Sequence, residues 1–452
     1  MNAVNAMSAM PRWTPEDPRF RDGNGRRVAR RNLWLSIPAL TLSFVVWMLW
    51  SAVVVHLPAA GFGYSTNQLF WLTALPALCG ATLRIFYAFA VPIIGGRRFT
   101  ALATASLLLP AFGIGFAVQD PRTPYELMVA LALLCGLGGG NFAGAMANIS
   151  FFYPNARKGY ALGLSAGLGH LGVPLVQLAV PLVIAVSLFG GFGGAPQSTG
   201  QGPVWLQNAG FVWVPFIVLS ALAAWFGMDD LADETETRAG FAEQAVIFTR
   251  KHNWLMCWLY LGTFGSFIGY AAGLPMLVQS QFHDIEASQA VWLGPLLGAL
   301  LRPLGGWLAD HLGGARVTFW SFVAMALGTV AVLLSLPQAE QGGSFAGFAA
   351  GFGVLFAAAG LGNGSTFRMI PAIFVGTGTQ TRKNGSIEAA GVLGFASAIG
   401  AYGGFFIPKA YGSAIALTGG PQAALLAFVF FYLTCIAVTW WHYSRRNAPM
   451  PC

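Results

Sequence analysis

Apolar runs of roughly 20–30 residues, the length a helix needs to cross a bilayer, alternate with short polar breaks along this chain. The pattern predicts twelve helices, near residues 33–56, 65–93, 98–118, 124–153, 157–187, 208–228, 252–279, 287–310, 315–336, 343–374, 384–416 and 420–443. One long charged stretch interrupts it, Asp229–Lys251, which begins Asp-Asp-Leu-Ala-Asp-Glu. That stretch divides the chain into a tail (1–32), a first six-helix bundle (33–228), a central loop (229–251), a second six-helix bundle (252–444) and a closing tail (445–452). The first thirty residues are polar and contain Pro and Arg, with no apolar core. No cleavable signal is read there, and the first helix is expected to direct insertion.

Composition agrees with the pattern. The chain is 56% hydrophobic and 9% charged, with a mean hydropathy of +0.63, which is the signature of an integral membrane protein. A formal net charge of +8 raises the question of nucleic acid, but the placement of the charges answers it. Seven basic residues lie in the N-terminal tail: Arg12, Arg19, Arg21, Arg26, Arg27, Arg30 and Arg31. Twelve more lie in alternate loops and the C-terminal tail: Arg97, Arg98, Arg157, Lys158, Arg238, Arg250, Lys251, Arg316, Arg382, Lys383, Arg445 and Arg446. Only Arg122 falls in an opposite-side loop. The basic excess therefore encodes topology: both termini are expected in the cytoplasm, with an even number of spans in the bacterial cytoplasmic membrane. The partner it implies is the lipid bilayer, not nucleic acid. Cys79, Cys135, Cys257 and Cys435 lie in apolar spans and Cys452 at the end, with no metal-binding or paired spacing. No cofactor or metal is expected.

The two halves repeat each other. Gly80-Ala81-Thr82-Leu83-Arg84 continues to Gly95-Gly96, Arg98 and Thr100; Gly298-Ala299-Leu300-Leu301-Arg302 continues to Gly313-Gly314, Arg316 and Thr318 with the same spacing. A second echo joins Gly138-Gly139-Gly140-Asn141 to Gly360-Leu361-Gly362-Asn363. Each half thus carries one arginine deep in an apolar helix, a placement that costs about 2.5–3.5 kcal/mol even on lenient insertion scales. A structural ion pair would need a buried acid, and only Glu388 and Asp310, both near helix ends, come close. A shared anion is the better reading. A guanidinium presents N–H donors in a rigid fork suited to a small flat oxyanion, and two forks from opposite halves can hold one between them. Phe142, Phe151, Phe152, Tyr260 and Phe264 are candidate walls of that pocket. Asn141, Asn148 and Asn363 are amides that need partners if buried.

Glycines recur every four residues at Gly136, Gly140 and Gly144, at Gly159, Gly163 and Gly167, and at Gly343, Gly347 and Gly351. Small residues at this spacing let helices approach closely, and the same surfaces permit sliding. No lysine or strand accompanies them, so none is a nucleotide loop.

The loop Gly306-Trp-Leu-Ala-Asp310-His-Leu-Gly313-Gly314-Ala-Arg316 resembles the G-x-x-x-D-x-x-G-x-x-R motif of the major facilitator superfamily; Pro92 stands where Asp310 would fall in the first half. Longer segments resemble the nitrate/nitrite porter family within it. They are Gly138-Gly-Gly-Asn141-Phe142-Ala-Gly-Ala-Met146-Ala-Asn148-Ile-Ser-Phe-Phe, continuing to Gly163-Leu-Ser-Ala166-Gly167-Leu-Gly169-His170-Leu-Gly172, and Gly360-Leu-Gly362-Asn363-Gly364-Ser-Thr-Phe367-Arg368-Met-Ile-Pro371. Arg31-Asn-Leu-Trp, Pro15-Glu-Asp-Pro and Gly403-Gly-Phe-Phe-Ile-Pro-Lys409 extend the likeness over nearly the whole chain. The resemblance implies an all-α major facilitator fold, with twelve transmembrane helices in two pseudo-symmetric six-helix bundles. It implies that Arg84 and Arg302 clasp the anion, that Phe142 packs on it, and that Tyr260 and Phe264 line the site beside Asn141, Gly139, Gly362 and Asn363. His170 stands where Asn is common, Ala166 where Gly is common, and Arg368 where Gln is usual.

The function this implies is a monomeric nitrate/nitrite antiporter that works by alternating access. Two arginines without a buried acid repel each other when unloaded, so the carrier returns only when loaded. Nitrate–proton symport is the alternative, with His170, which titrates near neutral pH when unperturbed, as its proton site. An enzyme or a sensor has no supporting motif or output domain. Arg368 and Glu388, at neighbouring helix ends, are expected to pair as an inner gate, and Asp310 to sit at a neighbouring helix N-terminus when that side is shut.

Overall fold

The computed structural model describes residues 25–200, 202–230, 246–282, 290–337, 342–376, 382–450 and 452. The tail charges before residue 25, Pro15-Glu-Asp-Pro, Arg238 with the acidic run around it, and the side chains of Pro92, Arg382 and Lys383 lie outside that description. Twelve helical spans follow one another. The first is Arg26–Trp47 with Leu49–Val53, bent by 47° as it continues to His56; the second is Thr66–Ile94. The third comprises Gly96–Ala105 and Leu108–Ala117, the fourth Tyr125–Phe152, the fifth Asn155–His170 and Gly172–Ile184, and the sixth Asn208–Phe211 and Val214–Gly227. The seventh joins Lys251–Tyr260 to Ser266–Gln281 through a π turn, Leu261–Gly265. The eighth to tenth are Leu293–Leu312, Gly314–Ser335 and Phe345–Gly376. The eleventh is Arg382–Ala401 with Gly403–Thr418, and the twelfth is Gln422–Thr439 ending in a π turn, Trp440–Ser444. A two-stranded antiparallel hairpin, β1 (Gln197–Thr199) and β2 (Gly202–Val204), links the fifth and sixth.

Among the described residues up to eleven of these spans are long and apolar enough to cross a membrane. The eighth is the one left out, and it carries Arg302 and Asp310.

Local sequence sets the ends that matter for the site. Ser65 caps the second span, accepting from the Gln68 amide while the Gln68 side chain accepts from the Ser65 amide. That span ends at Gly95 with φ of 92°, and the eighth ends at its repeat counterpart Gly313 with φ of 90°. Both angles lie where a side chain is strained. The fifth and eleventh spans each break one residue before a glycine that must pack tightly. A Cβ on Gly172 would sit 2.2 Å from the Thr41 carbonyl of the first span, and one on Gly403 would sit 2.3 Å from Gly265 Cα of the seventh. The two breaks are therefore pseudo-equivalent.

The turns at Gly95 and Gly313 share one face of the protein with the ends of the described chain, here called the turn face. Among the described residues, hydrogen bonds between the two bundles lie at the arginine level or beyond it, toward the far face. Thr82 meets Tyr402 at 2.8 Å, Gln177 donates to the Ala271 carbonyl (2.7 Å), Gln279 to the Val55 carbonyl (2.8 Å) and Lys409 to Asn67 (3.2 Å). Among the described residues, no ion pair toward the turn face joins the two bundles: Arg31–Asp229 lies between the tail and the central loop, Arg97–Asp230 and Arg250–Glu388 tie that loop to the first and second bundle, and Arg368–Asp310 lies inside the second. The glycines fall on both sides of this division. Those of the fourth span pack tightly as expected, but a Cβ on Gly159, Gly163 or Gly167 would meet nothing within 4 Å. The fifth-span glycine stripe is thus not a packing seam in this arrangement.

Gly313→Val should destabilise by about 1–2 kcal/mol through the strain of a left-handed β-branched residue. The loss would be read as a lower melting temperature in detergent. Gly306→Ala, in open helical surface, should leave it unchanged.

Candidate functional site

Arg84 is 1% and Arg302 8% exposed. The second and fourth spans approach so closely that a Cβ on Gly80 would lie 2.9 Å from Gly139 Cα. That approach brings the Gly139 carbonyl to 2.8 Å from Arg84 Nε. Nη1 donates to the Ser397 carbonyl at 3.0 Å, and Nη2 is buried with no hydrogen-bond partner among the described residues. Three rings surround the guanidinium, with Cζ 4.7 Å from Phe142, 5.0 Å from Trp47 and 5.2 Å from Phe264. Such contacts stabilise a desolvated cation by about 2 kcal/mol. The Trp47 indole is held in place by its N–H, which donates to the Pro76 carbonyl (2.9 Å).

Arg302 has different company. Its Nη1 lies 3.2 and 3.1 Å from the two ring nitrogens of His170, its Nη2 reaches the Tyr260 hydroxyl at a long 3.5 Å, and Phe367 lies 5.5 Å from Cζ. The two arginines share walls: Phe142 and Phe264, which flank Arg84, pack at 5.8 and 5.7 Å on the His170 ring. Each arginine also reaches into the opposite bundle, Arg84 from the second span to the eleventh and Arg302 from the eighth to the fifth. These are pseudo-equivalent pairs. The π turn carrying Phe264 widens the seventh span at this level, and such bulges cluster at functional positions.

The site residues expected from sequence fall into two groups. Arg84, Arg302, Gly139, Phe142, His170, Tyr260 and Phe264 are brought together. Asn141 is not brought to either arginine by its described contacts, since its amide donates to Ser43 (3.0 Å) and the Ala103 carbonyl (3.1 Å) in a small cavity between the first, third and fourth spans. Gly362 faces Thr263 and Ser321, and its carbonyl accepts from Ser365 and Thr366 inside the second bundle. The Asn363 amide oxygen is buried there without a partner. Phe151 and Phe152 pack nearer the turn face, Phe152 against Val28 and Ala29, and so do not wall the pocket.

The expected Arg368–Glu388 gate is not formed. Glu388 takes a two-pronged contact from Arg250, at 3.1 and 2.9 Å, and Arg368 instead pairs with Asp310 between the eighth and tenth spans. Arg250 is held above the usual arginine range by that carboxylate. Asp310 therefore has an arginine side chain as its described partner, where a helix N-terminus was expected.

Sequence reasoning missed Trp47, Phe44, Phe267 and the Ser397 carbonyl. Aromatic residues in a chain with 14% of them carry little signal, and a carbonyl carries none.

The profile of the Major Facilitator Superfamily matches residues 35–408. Nitrate/nitrite transporter NarU of Salmonella typhimurium is 48% identical, the match covering 96% of each chain. NarU of Escherichia coli is 46% identical over 99% of this chain and 98% of that one. The probable nitrate/nitrite antiporter NarK2 of Thermus thermophilus is 41% identical over 97% of both. The chain belongs to the nitrate/nitrite porter family of the Major Facilitator Superfamily. Among solved structures, a bacterial homolog of the human lysosomal transporter Spinster, in an inward-facing and occupied conformation, superposes with a TM-score of 0.62 at 16% identity, covering 90% of this porter and 95% of that chain. That likeness speaks to the fold.

The partner of Glu388 can be checked in this porter by charge exchange. Glu388→Arg should impair transport, and adding Arg250→Glu should restore it, whereas adding Arg368→Glu should not. Rescue by Arg368→Glu would contradict the pairing described.

Proposed function

We propose that this porter is a nitrate/nitrite antiporter, importing nitrate and exporting nitrite across the bacterial cytoplasmic membrane by alternating access. The observation that carries the reading is Arg84 Nη2, a buried cationic donor without a partner, in a pocket whose other cation is Arg302. Donors left unsatisfied in a low-dielectric site are costly unless an acceptor arrives. Nitrate and nitrite are acceptors, carry one negative charge, and are flat enough to slide between Phe142 and Phe264. The nitrate/nitrite transport named for the NarU and NarK2 relatives supports the choice of anion.

Alternating access follows from where the bundles are joined. The contacts toward the far face close that side, and the uncontacted glycines of the fifth span mark the side where the bundles part. Read by the positive-inside rule, the basic loops favour a cytoplasmic turn face with both termini on that side, and on that reading this arrangement opens inward. Closing it brings the two arginines under the same low-dielectric roof, which an anion makes favourable and an empty site does not. A single chain holds both halves of the site, so a monomer suffices. Nitrate–proton symport is the second reading, and the contact of His170 with Arg302 is the observation that favours it.

Proteoliposomes loaded with nitrite should take up labelled nitrate, and those without internal anion should not. Accumulation driven by a pH gradient alone, without internal nitrite, would overturn obligatory exchange. Arg84→Lys and Arg302→Lys should each lower uptake on the order of 10²-fold, because an ammonium keeps the charge and loses the fork. Near-normal uptake in both would overturn the two-fork site.

A further inference from the structure

The two bundles differ at one point of the site. Gly172 and Gly403, the glycines after the pseudo-equivalent breaks, are 231 residues apart, and so are Ala166 and Ser397. The Ser397 carbonyl accepts directly from Arg84. The Ala166 carbonyl contacts His170 Nδ1, and it is the His170 ring that meets Arg302. An imidazole has been inserted where the other bundle uses a carbonyl alone.

This geometry assigns the ring's state. A carbonyl only accepts, so Nδ1 carries a proton. Arg302 Nη1 only donates, and its near-equal distances to the two ring nitrogens place it over the ring, against the electron-rich face of a neutral imidazole. Nε2 therefore carries no proton and can only accept, with Arg302 Nη1 3.1 Å away. The ring is 1% exposed and walled by Phe44 (4.5 Å), Phe142, Phe264 and Phe267 (5.8 Å). The charged or titratable groups facing it are Arg302 and Arg84, with Tyr260 beyond Arg302; the first, fourth and seventh spans otherwise present phenylalanines to it. The one buried acid among the described residues, Glu388, is committed to Arg250.

We propose that His170 takes up one proton with each anion that binds between the arginines, so that nitrate or nitrite crosses together with a proton on Nε2. The inference rests on the anion site proposed above. Anion oxygens and a bare Nε2 both only accept, and cannot bond each other. A proton added at Nε2 turns it into a donor toward the anion. The third positive charge this creates beside two arginines is unfavourable alone and is offset by the anion's negative charge. Binding and protonation thus favour each other, and linkage makes the effect reciprocal. Because the loaded state holds the extra proton, anion affinity falls as pH rises. Exchange of two anions, each accompanied by a proton, moves no net proton.

The test counts protons on the purified full chain in detergent. Sodium nitrate and, separately, sodium nitrite are titrated calorimetrically in buffers of differing ionisation enthalpy between pH 6 and 8.5. The expected result is about one proton taken up per anion, with affinity about tenfold weaker per pH unit at the alkaline end. His170→Asn and His170→Gln, whose amides donate without titrating, should bind anion with no proton uptake and a flat pH profile. Binding by the parent protein without proton uptake would overturn this inference while leaving the anion site intact, as would undiminished uptake in both variants. Failure of either anion to bind the parent protein at any pH would overturn the anion site itself.

Discussion

Two guanidinium groups held inside apolar helices set the terms for the rest of this protein. Neither has a carboxylate partner, so each must be stabilised by whatever the fold can bring to it. For Arg84 that is the Gly139 carbonyl, accessible because two helices meet at glycine, together with three aromatic faces and a carbonyl from the other bundle. For Arg302 it is an imidazole from the other bundle and a distant phenol. Because each arginine leans across the interface, the same groups that hold the charge also register how the bundles sit. Charge stabilisation and conformational state are one problem here, and in the proposed function an anion entering the site acts on both.

The division of polar contacts follows from this. Among the described residues, charged pairs toward the turn face do not join the two bundles; they tie tail, loop and helix ends on one side of the interface. Contacts between bundles toward the far face are made by amides, hydroxyls, glycine packing and a single lysine resting on Trp71 and Asn67. A carrier must break and remake its interface at every cycle. Neutral hydrogen bonds that re-form with water cost little net free energy to open, whereas a desolvated ion pair resists separation. Among the described residues the salt bridges lie off that interface.

How much of this was legible in the sequence depends on the kind of interaction. The spans, the arginines and the turns at Gly95 and Gly313 are written in hydropathy and in an internal repeat, and both signals are local. The partners of Arg368 and Glu388 are not local. Several opposite charges lie at neighbouring helix ends, and the rotation of each helix about its axis decides which pair meets; Arg250, outside the apolar span, was the competitor that won Glu388. Asn141 was misplaced for a related reason. It adjoins Phe142 in sequence, but one residue turns a helix by about 100°, which sends the ring to Arg84 and the amide to Ser43. The glycine stripe of the fifth span has the spacing of a packing seam, and spacing cannot say whether the partner helix is present in a given state.

His170 shows how a pseudo-symmetric site can acquire chemistry that neither half contains alone. In both bundles a broken helix offers a carbonyl about one turn before the break, at Ala166 and at Ser397, and in the second bundle that carbonyl itself meets the arginine of the other half. The tight approach forced by Gly172 fixes the first-span Phe44 against the ring of His170, so the imidazole has little room to swing aside. It must remain between its own carbonyl and the arginine of the other half. A residue so confined answers a new charge by gaining or losing a proton, because it cannot answer by moving. The asymmetry therefore falls on His170, while the two arginines supply the positive charge that the proposed anion would meet.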